Sequence, residues 1–314
     1  MKNNNKNIRP LVSVILPTYN RASLLPRAIK SVLDQTYKNF ELIIVDDNST
    51  DNTKKIVNDF KDERIKYIWH KENKGAAASR NTGIKMAKGE YIAFQDSDDE
   101  WFPEKLDKQI KVFESLSLQY AVIYSGFWYI RGGQKKYLPS SGILSKEGDI
   151  FKVLLNGNFI TTQVVLCRKE CFKKVGLFDE KLPRLQDWEL WIRISKKYLF
   201  QYINEPLAIV YHQSESSISN NMDALIKASE MIVEKHKDDI RKEKGLLSEY
   251  YFTICNMFFS KKDFKNGQKY FIKAKALNPF PIRFLVCAPI VFFAPRLYVK
   301  LLLFIRRSRE FKNL

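Results

Sequence analysis

The chain has 314 residues, a length that suits one sizeable α/β domain with an appendage, or two domains. Hydrophobic residues make up 45% of it, enough to bury a real core, which excludes wholesale disorder. Lys and Arg number 53 against 35 Asp and Glu, and the resulting net charge of +18 implies an anionic partner: nucleic acid, a membrane surface or a phosphorylated ligand.

The start, MKNNNKNIRPLVSV, is polar and lacks a signal-type apolar core, so the chain is expected to stay in the cytoplasm. Short apolar runs follow: LVSVIL (11–16), FELIIVD (40–46), IKYIWH (65–70), YIAFQ (91–95) and AVIYSGFWYI (121–130). They read as strands. Between them the spacing is helical. Leu24, Leu25, Ala28, Ile29, Val32 and Leu33 share one face of a helix ending near Gln35. STDNTKKIVNDF opens with capping residues, and Pro103 fits the first turn of a helix carrying Leu106, Ile110 and Phe113. This alternation predicts a mostly parallel central sheet with helices on both faces. Ligands of such sheets bind beyond the carboxyl ends of the strands, where the polar clusters PTYNR, DDNSTD and QDSDDE fall.

From about residue 131 the pattern changes. RGGQKKYLPSSG is turn-rich, FITTQVVLCR reads as a strand, LQDWELWIRISKK as a helix, FQYINEPLAIVYH as one or two strands and QSESSISNN as a loop. Cys167 and Cys171 are spaced C-x3-C, but no second pair or nearby His completes a zinc site, so reduced, mostly buried thiols are expected. The boundary is placed at residue 220, with a helical region over 221–314. One stretch of that region has the character of a single tetratricopeptide-type helix pair. Its end, FLVCAPIVFFAPRLYVKLLLFIRR, is about long enough to span a bilayer, which takes roughly 20 apolar residues. Pro289 and Pro295 interrupt it, however, and Arg296 and Lys300 would lie within the hydrocarbon. A broken amphipathic element lying on anionic headgroups avoids that cost, with Arg306, Arg307 and Arg309 extending its basic edge. The alternative is a helix pair packed on the first domain.

The stretch YIAFQDSDDEWF packs Asp96, Asp98, Asp99 and Glu100 into five positions. Asp99 and Glu100 suit the approach to a helix N-terminus. Asp96 and Asp98 either do the same or converge on a hard cation, leaving positions for water and phosphate oxygens as Mg2+ or Mn2+ requires. LIIVDDNSTDNT ends a strand in Asp46-Asp47, read either as a cap or as an acceptor for a base N–H or ribose hydroxyl. Pro17, Thr18 and Tyr19 suit backbone and aromatic contact with a nucleobase. NKGAAASRNTGI gives a Gly-led helix start carrying Arg80, suited to a phosphate or equally a solvated charge. No dinucleotide-binding glycine fingerprint and no P-loop occurs.

VSVILPTYNRASLLPRAIKSVLDQTYKNFELIIVDDNSTDNT, NKGAAASRNTGI, GEYIAFQDSDDEWFPEKL and FDEKLPRLQDWELWIR together resemble the successive motifs of the inverting family 2 glycosyltransferases, from about residue 11 to about 215. The resemblance implies the GT-A, Rossmann-like fold of the nucleotide-diphospho-sugar transferases over residues 1–220. It implies that Pro17, Tyr19 and Asp47 hold the nucleoside and that Arg80 contacts the donor. It makes Asp96-Ser97-Asp98 the DXD motif, with Asp98 the direct metal ligand, and Asp187 the catalytic base. The family often has Glu-Asp at that last site, where this chain has Gln186-Asp187. A hexosyl or N-acetylhexosaminyl transfer with Mn2+ or Mg2+ is therefore expected. The donor would be a UDP-sugar and the acceptor a saccharide or lipid-linked saccharide, in surface polysaccharide synthesis on the inner face of the cell membrane.

Several residues carry two readings. Trp188 and Trp191 are core or acceptor-stacking platforms, Glu189 is a second acid or a surface charge, and His212 is a further metal or diphosphate contact or a lone histidine. Other functions compete as well. A nucleic-acid-binding protein would need a basic stripe interleaved with aromatics, and none is apparent. A dead scaffold would not need Asp98 and Asp187. A nucleotidyltransferase would use paired acids without QDWELW.

Overall fold

Each of the five apolar runs between residues 11 and 130 forms a strand in the computed structural model, which describes residues 9–140, 142–143, 145–212, 221–278 and 282–312. In chain order the elements are β1 (Val12–Thr18), α1 (Leu25–Leu33), β2 (Phe40–Asp46), α2 (Thr53–Asp59), β3 (Ile65–Trp69), α3 (Ala76–Met86), β4 (Tyr91–Phe94), β5 (Glu100–Trp101) and α4 (Lys105–Ser115). There follow β6 (Tyr120–Arg131), β7 (Gln134–Leu138), α5 (Phe151–Asn156), β8 (Val165–Arg168), α6 (Lys169–Val175), α7 (Gln186–Ser195) and β9 (Leu199–Tyr211). One sheet joins all the strands in the order β3-β2-β1-β4-β8-β6-β9-β5, with β7 paired to β6. Pairing is parallel through β3-β2-β1-β4 and again between β6 and β9, while β8, β5 and β7 join antiparallel. Every residue of β1 and β2 is buried, as continuous apolar strands covered on both faces should be. Gly83 allows α3 to lie on β1, because a Cβ there would come within 2.4 Å of the Ile15 side chain.

The structure refines the local expectations. FITTQVVLCR is strand only from Val165, after a 3-10 turn at Thr162–Val164. FQYINEPLAIVYH, read as one or two strands, is one, with Pro206 at a register shift opposite Gly126. The turn-rich segment after residue 131 contains β7, and α5 and α6 were not read from the sequence at all. The expected loop QSESSISNN lies, but for its last residue, outside the described residues.

The chain divides into two compact units, Met1–Lys181 with Gln186–Ser216, and Leu182–Leu185 with Ser217–Leu314. The second is helical: α8 (Met222–Lys235), α9 (Lys237–Lys242), α10 (Leu246–Ser260), α11 (Phe264–Leu277), α12 (Ile282–Phe293) and α13 (Pro295–Lys312). Its core gathers Cys255, Phe259, Phe271, Phe284, Val291 and Tyr298, so α12 and α13 pack against α10 and α11 along one face. Leu285, Val286, Phe293, Leu297 and Phe304 remain exposed on these two helices. The apolar run is thus broken at Ala294, and Pro289 lies inside α12. No helix among the described residues is long and apolar enough to cross a membrane. The side chains of Arg306, Arg307 and Arg309 lie outside the description. All four cysteines are free thiols, three of them buried.

Candidate active site

The carboxyl ends of β1, β2 and β4 bring the three polar clusters to one edge of the sheet. At the end of β1, Pro17 is buried opposite Val45, and the Tyr19 ring follows at 46% exposure. Asp47 follows β2, and its backbone N–H donates to Thr18 O at 2.9 Å. Its carboxylate accepts from the backbone N–H groups of Lys74 (2.9 Å) and Gly75 (2.7 Å), and lies 2.8 Å from His70 Nδ1. His70 in turn reaches Thr82 Oγ1 at 3.0 Å through Nε2. Asp47 therefore fixes the turn that launches α3, where Gly75 takes a left-handed φ of 87°. His70 went unnoticed in the sequence, because nothing local marks a histidine as the partner of an aspartate 23 positions away.

α3 delivers Arg80, whose guanidinium donates to Asp96 Oδ1 at 2.6 Å. The Arg80 Nε is buried without a hydrogen-bond partner among the described residues. Thr162 Oγ1 lies 3.4 Å from the other Asp96 oxygen. The Asp98 carboxyl is held above the usual carboxylate range, first by burial and then by repulsion from Asp96, with Arg21 and Arg27 opposing. Arg27 donates to the Asp98 carbonyl and stacks on the Tyr211 ring, 3.9 Å from its centroid.

Asp99 corrects the sequence reading. It does not approach a helix N-terminus, since α4 begins only at Lys105 and Glu100 belongs to β5. Instead its buried carboxylate accepts from the Tyr211 backbone N–H (2.9 Å) and from Gln163 Nε2 (2.6 Å). Burial and the neighbouring Asp96 and Asp98 push its carboxyl well up. This ties the acidic loop to the end of β9, one residue before His212. The His212 ring packs on Tyr129, with centroids 6.0 Å apart. No group of three His, Cys, Asp or Glu that could hold a metal is gathered among the described residues.

Asp187 sits half-buried in the first turn of α7, where the helix dipole favours a carboxylate. Burial raises its carboxyl. The Trp188 backbone N–H, the Arg80 charge and the Asn158 amide oppose that shift, while the Asp96 charge adds to it. Asn158 Nδ2 donates to Asp187 Oδ2 at 3.1 Å. The base candidate thus stands in the field of the Arg80–Asp96 pair. Leu185, at the turn into this helix, has a left-handed φ of 61°, a strained conformation for a leucine.

Both tryptophans of α7 are core. Trp188 Nε1 donates to Leu154 O (2.7 Å) and Trp191 Nε1 to Ile160 O (3.0 Å). Glu189 is neither an acceptor acid nor a surface charge. It is fully buried and paired with Arg193 through both carboxylate oxygens. Arg193 also donates to the carbonyls of Val175 and Leu177, which locks α7 in place.

The architecture is that of the GT-A α/β fold. TarS of S. aureus, crystallised in complex with UDP-GlcNAc, is similar to it with a TM-score of 0.63 at 20% identity, covering 92% of this chain and 88% of that one. The chain belongs to glycosyl transferase family 2, whose family model matches residues 13–176. It is 34% identical over 263 residues to the Escherichia coli enzyme UDP-Glc:alpha-D-GlcNAc-diphosphoundecaprenol beta-1,3-glucosyltransferase WfgD, covering 82% of this chain and 98% of that one. An uncharacterized glycosyltransferase of Rickettsia felis is 37% identical over 193 residues, and there the match spans 60% of this chain but only 32% of the relative.

Proposed function

We propose that the chain is a metal-dependent inverting glycosyltransferase. It moves a sugar from a nucleotide-diphosphate donor, a UDP-sugar, to a hydroxyl of a lipid-linked saccharide in surface polysaccharide synthesis. The observation that carries this reading is Asp187, a half-buried carboxylate held by Asn158 and facing the electrostatic field of Arg80 and Asp96. The lipid-linked acceptor named for WfgD supports the acceptor class.

Pro17, Tyr19 and Asp47 flank the nucleoside in this reading, with the exposed Tyr19 ring available to stack on a base. Asp98 and Asp96 fit a divalent cation. Two hard carboxylates, with Asp98 raised by burial and by repulsion from Asp96, form a donor set that would suit Mg2+ or Mn2+. When bound, the cation supplies Lewis-acid stabilisation of the leaving diphosphate. Arg80 adds a guanidinium on the donor side. Asp187 accepts the acceptor hydroxyl's proton as that oxygen attacks the anomeric carbon. The carbon–oxygen bond to the diphosphate breaks with its electron pair on the leaving group, and the anomeric centre inverts. General-base assistance of this kind contributes about 10²–10⁴-fold.

The test is a panel of nucleotide sugars with Mn2+ or Mg2+, scored for release of nucleoside diphosphate. Asp187→Asn should keep donor affinity near wild type and lower turnover by roughly two to four orders of magnitude. Lost donor affinity with unchanged saturating turnover would make Asp187 a binding residue, and pyrophosphate release would point to a nucleotidyltransferase. The exposed apolar side chains of α12 and α13, with the exposed Arg296 and Lys300, support peripheral attachment to an anionic membrane.

A further inference from the structure

A cavity of about 760 Å3 lies beside the candidate base. Its walls come from β6 and β7, the segment after them, α5 and residues 157–161. Phe127, Leu138, Ile143, Val153 and Phe159 make most of that lining apolar. Asn158, which donates to Asp187, also lines it. So does Thr161, whose buried hydroxyl has no partner among the described residues. The next residue, Thr162, lies against Asp96. The 158–162 segment therefore borders the cavity on one side and the acidic site on the other. The tryptophans of α7 hold this wall, since they bond to Leu154 and Ile160 at its two ends.

The cavity belongs to the β6 half of the sheet, whereas Pro17, Tyr19 and Asp47 lie at the ends of β1 and β2, with β4 and β8 between. That separates it from the nucleoside. Its volume falls within the range of about 300–1,000 Å3 that buries drug-sized ligands. A saccharide chain does not suit such walls, because hydroxyls buried against Phe and Val lose their hydrogen bonds to water without replacement. A hydrocarbon suits them.

We propose that this cavity binds the hydrocarbon of a lipid-linked acceptor next to its diphosphate, with the acceptor sugar at the Asn158 end against Asp187. Lys152, in the same lining, supplies positive charge for the linking diphosphate. The orientation of the sugar rests on Asp187 being the base; the hydrocarbon site does not.

The test is equilibrium binding of two soluble probes to the full chain, methyl-diphosphoryl-GlcNAc and decyl-diphosphoryl-GlcNAc, below the micelle concentration of the latter. Each methylene buried strengthens binding roughly fourfold. Even partial burial should therefore make the decyl probe at least about tenfold tighter. Val153→Asn and Ile143→Asn, on separate parts of the lining, should each abolish that advantage while leaving UDP binding unchanged; retained UDP binding shows that the variant is folded. Equal affinity of the two probes for the wild type overturns the proposal. So does a decyl advantage that both variants retain, since the chain would then sit on another surface. Because the readout is binding, it is separate from the fate of Asp187→Asn: persistent turnover in that variant would sink the base assignment and leave the hydrocarbon site standing.

Discussion

Asp98 and Asp99 are adjacent, yet their carboxyl groups stand in different surroundings. Asp99 spends both oxygens on Tyr211 and Gln163, whereas Asp98 is raised by burial and by Asp96, and in the proposed mechanism it holds the cation. Asp98→Asn should therefore weaken metal-supported nucleotide binding and nearly abolish turnover while leaving the melting temperature close to wild type. Full activity of the variant, or of the wild type in excess chelator, would remove the metal from the mechanism. The pH profile tests Asp187 separately. Its carboxyl is raised by burial, so the ionised base is lost as pH falls through a value above the ordinary carboxylate pKa of about 4. The Asn158 hydrogen bond favours the charged form, so Asn158→Ala should move the acid limb of kcat to higher pH. An unmoved limb would mean that another group sets it.

At the level of elements, β1 through β4 were legible as apolar runs that end in polar clusters. The three polar clusters at the strand ends followed from that reading, while the role expected of Asp187 came from the family resemblance alone. β5 and β7 were not legible. β5 is two residues held by pairing to Ala208 and Ile209, more than a hundred positions away, and β7 carries the polar sequence QKKYL with most of its residues exposed. The same distance hid the role of Asp99. Nor did the sequence disclose that Lys105, the first residue of α4, is completely buried. Its ammonium bonds to Gln109 Oε1 at 2.8 Å and lies 4.0 Å from the Trp101 ring centroid, and burial lowers its pKa to about 7. Below about pH 7 the folded and unfolded chains both carry the proton and the full burial penalty applies; above the ordinary lysine pKa of about 10.4 both are neutral and the penalty is gone. In between the unfolded chain binds more protons, so stability should climb with pH across that window. Lys105→Met should flatten the climb and raise stability at neutral pH. Chemical denaturation from pH 7 to 10 checks this, and a variant with the wild-type slope would refute it.

Over the whole molecule, the +18 charge and the exposed apolar face of α12 and α13 point in one direction. Phe293 is 90% exposed, an unusual position for a phenylalanine in a helix that otherwise contributes to a core. The full chain should bind anionic liposomes at low salt and be released as ionic strength rises. Phe293→Asp combined with Leu297→Asp should lose that binding and leave donor hydrolysis intact. A full chain that ignores anionic liposomes at low salt would refute the attachment, and resistance to carbonate washing would indicate a deeper anchor.

The hydrogen bonds that fasten Trp188 and Trp191 to Leu154 and Ile160 also give the protein an optical probe. Of five tryptophans, Trp101, Trp188 and Trp191 are buried while Trp69 is 51% exposed. A soluble quencher such as iodide therefore reaches Trp69 first and can silence it. The emission that survives is weighted toward Trp101, Trp188 and Trp191, the last two anchored to the segment that forms the cavity wall. Any rearrangement of that wall changes their hydrogen bonds, so a shift in emission wavelength reports it without a label.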